Sequence, residues 1–157
     1  MMICRSNVVA CAKHFVGDGG TNKGINENNT LVDYSELYDI HMRPYIAALA
    51  KGISTIMVSL SSWNGVKMHA NYDLLTCVLK HQMGFQGFIL SNWEGIDKIT
   101  SPPRSNYTYS VLASINAGID MVMVPYDFQS FTSNLGALVN RGEIPMGGID
   151  ETKRVSR

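Results

Sequence analysis

Polar, aromatic and acidic side chains are concentrated directly after a short apolar run at residues 87–90. Glu94 and Asp97 supply carboxylates, which can act as nucleophiles or as general acids and bases. Trp93 supplies a flat apolar face, and Asn92, at the head of the cluster, supplies an amide. The apolar run predicts a buried strand, and in α/β proteins functional residues gather where parallel strands end. The sequence therefore predicts a site at the end of this strand.

The elements that must position this cluster alternate along the chain. Continuous apolar runs predict strands at 8–13, 54–59, 87–90 and 120–125. Amphipathic spacing predicts helices at 34–51, 71–83, 107–117 and 128–140. Gly52, Gly84 and Gly118 each end a predicted helix shortly before a strand. Such alternation requires right-handed βαβ units and a parallel sheet, as an open doubly wound sheet or as part of a (β/α)8 barrel. A complete barrel takes about 250 residues, so 157 residues have room for four βα units.

The composition excludes several classes of partner. Thirteen basic residues balance thirteen acidic ones without a run of like charge, so neither a nucleic-acid face nor a basic membrane patch is indicated. No apolar run approaches the roughly 20 residues needed to cross a bilayer. A neutral or small substrate fits this balance better.

Cofactor and targeting signals are also lacking. Cys4, Cys11 and Cys77 are widely spaced and odd in number, so they predict neither a zinc site nor a disulfide framework. The glycines at 17–20 do not fall in a phosphate-binding register, and no metal or other cofactor is predicted. Residues 1–7 lack the order of a signal peptide, so none is expected in this chain. Two sequons, at Asn28 and Asn106, would be glycosylation acceptors in a secreted protein.

Four stretches read together carry a resemblance to a known family. They are AKHFVGDGG at 12–20, GINENNT at 24–30, SSWNGVKMH at 61–69 and SNWEGID at 91–97. Together they resemble glycoside hydrolase family 3, most closely its plant β-D-glucan exohydrolases and β-glucosidases. The resemblance implies a (β/α)8-type barrel followed by an α/β sandwich domain. Residues 1–157 are then expected to form a single partial domain, the C-terminal half of the barrel, without the sandwich domain.

The resemblance also implies a chemistry and a site. Family members are retaining exo-hydrolases that need two carboxyl groups about 5 to 5.5 Å apart. The nucleophile position is occupied here by Asn92, and in plant members the acid/base glutamate lies on the second domain. Lys13 and His14 match a pair that holds the hydroxyls of the non-reducing glucose, and Trp93 matches an aromatic residue that flanks the sugar. The implied partner is a β-glucoside or β-glucan oligosaccharide, and the implied location is the cell wall after secretion.

Little or no activity is therefore expected from this chain. An amide has no anionic oxygen with which to attack, and Glu94 and Asp97 are not expected to replace it, because the loop that aims position 92 at the sugar aims position 94 elsewhere. The alternatives are a non-catalytic relict that binds glucosides weakly, a chain that serves only in assembly, and an incomplete gene model. Self-association is expected in each case, because four βα units leave both sheet edges open.

Overall fold

A computed structural model describes residues 8–147 of the chain. Its longer strands alternate with helices, as the sequence predicts. The strands are β1 (Cys11–Phe15), β2 (Asn29–Thr30), β3 (Thr55–Val58), β4 (Ser62–Trp63), β5 (Val66–Lys67) and β6 (Phe88–Leu90). The α-helices are α1 (Tyr34–Glu36), α2 (Arg43–Leu49), α3 (Tyr107–Asn116) and α4 (Phe128–Asn140). Two π-helical segments, Leu37–Met42 and Asp73–Gln82, complete the helical layer.

The main sheet is parallel and follows the order of the chain. β1 pairs with β3, β3 pairs with β6, and a parallel bridge joins Leu90 to Met121. Ile56 and Ile89 lie opposite each other and are buried in the core that the sheet forms with the helices. Because side chains alternate along a strand, Met57 and Leu90 lie on the opposite face, where both are only half-buried. Sequential parallel strands covered on one face by helices form the partial (β/α)8 barrel that the sequence predicts.

The predicted helices are present, and two of them include π-helical segments. Residues 34–49 form one continuous helical stretch, in which the Leu37–Met42 segment joins α1 to α2. Asp33 caps its start, because the Asp33 carboxylate accepts the backbone N–H of Glu36 at 2.8 Å. Gly52 follows its end with φ +75°, and Gly84 and Gly118 have φ of +71° and +103° after the next two helices. These three helix-to-strand junctions therefore share the left-handed backbone that the repeated glycines predict.

Two strand predictions need correction. The first strand begins at Cys11 rather than at Val8, and it continues to Phe15. The fourth, predicted at 120–125, is reduced to the single bridge at Met121. A side chain interrupts the ladder there, because Ser91 Oγ accepts the backbone N–H of Met123 at 2.7 Å. Asp120 uses its carboxylate to accept the N–H of Ile89 at 2.9 Å, so position 120 is also held by a side chain.

A small second sheet, which the sequence analysis did not predict, lies at the carboxyl edge of the main one. β2 pairs with β4 in parallel, and β4 pairs with β5 in an antiparallel hairpin. The hairpin turns at Asn64 and Gly65, whose φ values of 47° and 88° suit the Asn-Gly turn read from the sequence. This hairpin leads directly into the short 3-10 helix Met68–Ala70, which reaches the site. Within residues 8–147, no helix is both long and apolar enough to cross a bilayer.

Candidate functional site

Asn92 lies two residues beyond β6, and local hydrogen bonds fix its position. Its carbonyl accepts from Ser91 Oγ and from the backbone N–H of Gly95, both at 3.0 Å. Its side-chain Oδ1 accepts the backbone N–H of Trp93 at 2.7 Å. Its own backbone N–H donates to Nε2 of His69 at 2.9 Å. The half-buried residue is thus held through its backbone N–H, its carbonyl and its side chain, just beyond the carboxyl end of the third parallel strand.

His69 is a buried polar residue that is bonded directly to the backbone of position 92. The residue is only 2% exposed. Burial, together with the charges of Lys67 and Lys98, lowers the pKa of His69 to about 3, and the Ser59 backbone acts in the opposite direction. The imidazole is therefore neutral at pH 7. Because Nε2 accepts from Asn92, the ring carries its single proton on Nδ1.

Trp93 presents an aromatic surface next to position 92. Half of the residue is exposed, and its ring meets Tyr126 edge to face, with centroids 5.9 Å apart and planes at 83°. Tyr126 is 73% exposed. The two rings form an open aromatic corner, a surface on which the C–H face of a sugar can pack.

The two acidic residues of the cluster face a different set of partners. Asp97 is buried and accepts from Arg104 Nη1 at 3.4 Å, while Arg104 Nη2 donates to Asp127 at 2.7 Å. Burial raises the pKa of the Asp97 carboxyl, and the Arg104 guanidinium opposes that shift. Glu94, with φ 48°, lines the same narrow cleft as Asp97 and Arg104. Asp97 is thus part of an ion-pair cluster that ties the turn after Trp93 to the start of α4.

Lys13 and His14 are the third and fourth of the five residues of β1. Lys13 is exposed, whereas His14 is half-buried and shares a hydrogen bond of 3.1 Å between its Nδ1 and Asp18 Oδ2. Both residues line a cavity of about 420 Å³ together with Asp18, His41 and Tyr45. This cavity offers the charged and hydrogen-bonding groups that a sugar hydroxyl needs.

The structure places the predicted residues on one edge but not in one cavity. β1 and β6 both flank β3 and run parallel to it, so Lys13, His14, Asn92 and Trp93 lie at the same carboxyl edge of the sheet. Two strand spacings, roughly 10 Å, separate β1 from β6. The cavity at Lys13 includes neither Asn92 nor Trp93. The four residues are thus arranged as two patches of an open surface.

Two contacts near the site were not predicted from the sequence. His69 reaches Asn92 across 23 positions, and Lys98 Nζ contacts both carboxylate oxygens of Glu27 at 2.7 Å across 71 positions. The only sequence signal for either was their presence in the family-like stretches or directly after one. In the described residues, 8–147, no group of three or more His, Cys, Asp or Glu is placed to hold a metal ion.

Comparison with known proteins decides the family of this chain. The sequence pattern described as the glycosyl hydrolase family 3 N terminal domain matches residues 3–157. The chain belongs to glycosyl hydrolase family 3. It is 28% identical to the probable beta-glucosidase L of Aspergillus terreus over 93% of its own length, and 30% identical to the lysosomal beta glucosidase of Dictyostelium discoideum over 94%. It spans 19% and 18% of the length of these two relatives.

Solved structures of the family share the fold. The exo-1,3/1,4-beta-glucanase ExoP of a Pseudoalteromonas species is 40% identical, with a TM-score of 0.85 over 93% of this chain and 18% of that one. The beta-glucosidase of Listeria innocua, solved in complex with glucose, is 25% identical, with a TM-score of 0.84 over 92% of this chain and 20% of that one. The family 3 chain described here therefore corresponds to about a fifth of each of these proteins.

Proposed function

We propose that this chain forms one side of a β-glucoside-binding cleft in a family 3 hydrolase barrel and has little or no hydrolytic activity itself. The observation that carries the proposal is the side-chain amide of Asn92 just beyond β6, where the backbone N–H of residue 92 donates to His69 and its Oδ1 accepts from the Trp93 N–H. The position is built to present a side chain at the edge where barrel enzymes place their catalytic groups. The side chain itself lacks the anionic oxygen that a retaining mechanism requires.

The cost of the amide follows from its chemistry. A retaining glycosidase nucleophile forms a bond to the anomeric carbon and stabilises the positive charge that develops on the sugar ring. Loss of the electrostatic part alone, at about 3 kcal/mol, slows a reaction roughly 100-fold, and loss of the covalent route costs more. In Asn92 the Oδ1 lone pair is also engaged by the Trp93 N–H. Sugar binding does not need the carboxylate, so we expect the chain to retain binding although hydrolysis is lost.

Three residues are proposed to hold the sugar. Lys13 and His14 would bind hydroxyl groups, since they line a cavity that opens beside β1. Trp93 would pack on the apolar face of the ring, since half of it is exposed. Structures of the Listeria innocua beta-glucosidase in complex with glucose and, as a mutant, with laminaribiose support a glucoside or short β-glucan as the ligand.

The catalytic part of the proposal is tested by 4-nitrophenol release from 4-nitrophenyl β-D-glucoside. The purified chain is compared with the Asn92→Asp variant, in which only the amide is replaced. We expect no measurable release from the parent chain. Release by the parent at a rate within tenfold of the variant would contradict the role assigned to position 92. Activity of the variant alone would show that Asn92 silences a folded site.

The binding part has its own test, because the chain contains two tryptophans. Trp93 is half exposed at the proposed site, whereas Trp63 donates its Nε1–H to the Val32 carbonyl at 2.9 Å. Glucose is expected to change the fluorescence of the parent and of Trp63→Phe, but not of Trp93→Phe. Galactose serves as the control sugar. A glucose response that survives in Trp93→Phe would remove Trp93 from the site.

A chain that serves only in assembly is the second candidate. It is favoured by the separation of the Lys13 cavity from Asn92 and Trp93 and by the exposure of Met121 at the edge of the sheet. Self-association without any glucose response would select this candidate. It needs no sugar contact at all.

We further propose that residues 1–157 are the C-terminal half of a barrel whose other parts, including a sandwich domain, belong to a longer protein. The relatives support this, since this chain matches 19% or less of their length in the two cases above. Genomic sequence on either side of the coding region would test it. Relatives named as periplasmic, in Salmonella typhimurium, and lysosomal, in Dictyostelium discoideum, support a location outside the cytosol, and we propose secretion to the cell wall.

A further inference from the structure

We propose that His69 is a positioning residue for the glucoside site, holding position 92 through a hydrogen bond from the Asn92 backbone N–H to its Nε2. The inference deepens the proposed function and rests on it, because position 92 matters only where a sugar is bound. It assigns a role to a histidine that is only 2% exposed. Any side chain at position 92, amide or carboxylate, would be placed by the same bond.

The geometry of the bond is that of a specific acceptor. The distance from Asn92 N to His69 Nε2 is 2.9 Å, and His69 is 2% exposed, so water does not compete for the ring. The Asn92 carbonyl is already occupied by Ser91 Oγ and the Gly95 N–H. His69 therefore supplies the remaining backbone partner of residue 92 and completes the restraint on its peptide groups.

The positioning role of His69 depends on the protonation state of its ring. A neutral imidazole offers one acceptor nitrogen, whereas a protonated ring has two donors and none. Lys67 precedes His69 by two residues, and both it and Lys98 place positive charge near the ring. These charges disfavour a second proton on the ring. Nε2 is thereby kept free to accept from Asn92.

Gly95 shows how closely the ring is packed against the loop after β6. A Cβ built on Gly95 would lie 2.1 Å from His69 Nε2 and 2.5 Å from Cε1, closer than any real contact. The ring therefore fits only because residue 95 has no side chain. His69 is carried on the short helix Met68–Ala70 that follows the hairpin β4–β5, so the second sheet is what delivers the ring to the loop.

The expected consequence of losing this bond concerns binding geometry rather than chemistry. A displacement of about 1 Å at a reacting group can cost a factor of roughly 100. For binding, loss of one net hydrogen bond that orders a contact loop is expected to weaken affinity about tenfold. The side chain of Trp93 follows residue 92 directly and would move with it.

The test uses the ¹⁵N-labelled 157-residue chain and two variants, His69→Gln and His69→Leu. Glutamine keeps an acceptor oxygen near the place of Nε2, whereas leucine keeps volume without an acceptor. A long-range ¹⁵N–¹H spectrum reports the ring tautomer of the parent chain. Amide exchange of Asn92, compared with Ile89 in β6, reports the bond, and titration with glucose reports affinity.

We expect the parent ring to carry its proton on Nδ1 and the Asn92 amide to be protected. His69→Leu should lower that protection roughly tenfold while Ile89 keeps its own, and His69→Gln should retain most of it. Glucose affinity should follow the same order, about tenfold weaker in His69→Leu and within about threefold in His69→Gln.

Three results would overturn the inference. They are a ring protonated on Nε2 in the parent, unchanged Asn92 protection in His69→Leu, and equal loss of glucose affinity in both variants. The first applies even where a variant does not fold. If neither the parent chain nor the variants bind glucose, the proposed function fails. The ring tautomer and the amide exchange of Asn92 still decide whether His69 holds position 92.

Discussion

At the scale of single residues, the histidine beside position 92 makes the stability of the fold depend on pH. The pKa of His69 falls from its ordinary 6.5 to about 3 in the folded chain, mainly through burial. Between these values the unfolded chain binds a proton that the folded chain does not, so the free energy of unfolding falls as the pH falls. The contribution is fully present above pH 6.5 and is lost progressively towards pH 3. From pH 7 to pH 5 we expect a loss of about 2 kcal/mol from this residue.

Urea unfolding followed by circular dichroism at pH 7, 6 and 5 measures this loss. His69→Gln is the control, because it keeps an acceptor but cannot titrate, and its curve should be flatter by that amount. Parallel pH curves for the two chains would mean that His69 is not buried as a neutral ring. Other titrating groups are common to both chains and cancel in the comparison.

The sequence predicted where the site lies more accurately than it predicted which residues contact each other there. The apolar run before Asn92 predicts a strand end, and the structure has β6 end two residues earlier. The hydrogen bond to His69 and the pairing of Lys98 with Glu27 join residues 23 and 71 positions apart, and no local pattern encodes them. The roles given to Asn92, Lys13, His14 and Trp93 came from resemblance and remain predictions.

At the scale of elements, two glycines test whether the site loop is fixed by packing. Gly95 begins the short helix Gly95–Ile99, and a Cβ there would collide with the His69 ring at 2.1 Å. Gly95→Ala should therefore destabilise the chain by about 1–3 kcal/mol, because a buried ring must move. The matched control is Gly136→Ala, which lies within α4 with no atom within 4 Å of an added Cβ. It should stabilise by about 0.5–1 kcal/mol, since alanine favours helix.

Thermal unfolding of the two variants checks both predictions, destabilisation by Gly95→Ala and stabilisation by Gly136→Ala. A Gly95→Ala chain as stable as the parent would mean that the ring is loosely held, which would also weaken the positioning role of His69. The α4 variant guards against a general effect of replacing glycine. Both substitutions add one methyl group, so the difference between them isolates the contact with His69.

Helices were predicted more accurately than strands, for a physical reason. The helices lie on the surface with one apolar side, so their periodicity survives in the sequence and their glycine ends are marked. The last strand was overpredicted because 120–125 is apolar enough for a ladder, but Ser91 Oγ takes the N–H of Met123. The second sheet was missed because its strands have two residues each, shorter than any periodic signal.

At the scale of the whole molecule, the three-stranded parallel sheet and its helices expose surfaces that a closed barrel would bury. Met57 and Leu90 lie half-buried on the face away from the helices, and Met121, bridged to Leu90, is 52% exposed. Backbone groups at the outer edges of a sheet can pair with a second copy. The 157-residue chain is therefore expected to self-associate through this face and these edges, which light scattering would detect as a mass above 17.3 kDa.

Substitutions at two methionines test whether self-association uses this face specifically. Met121 lies on the open face, whereas Met146, 51% exposed, follows α4 on another part of the chain. Met121→Lys places a charge where a second copy would pack, and it should weaken association roughly tenfold or more, while Met146→Lys should leave it unchanged. Equal effects of the two substitutions would point to net charge rather than to the open barrel. A monomeric parent chain would show that the partial barrel covers its open face without a partner, and the edge argument would then fail.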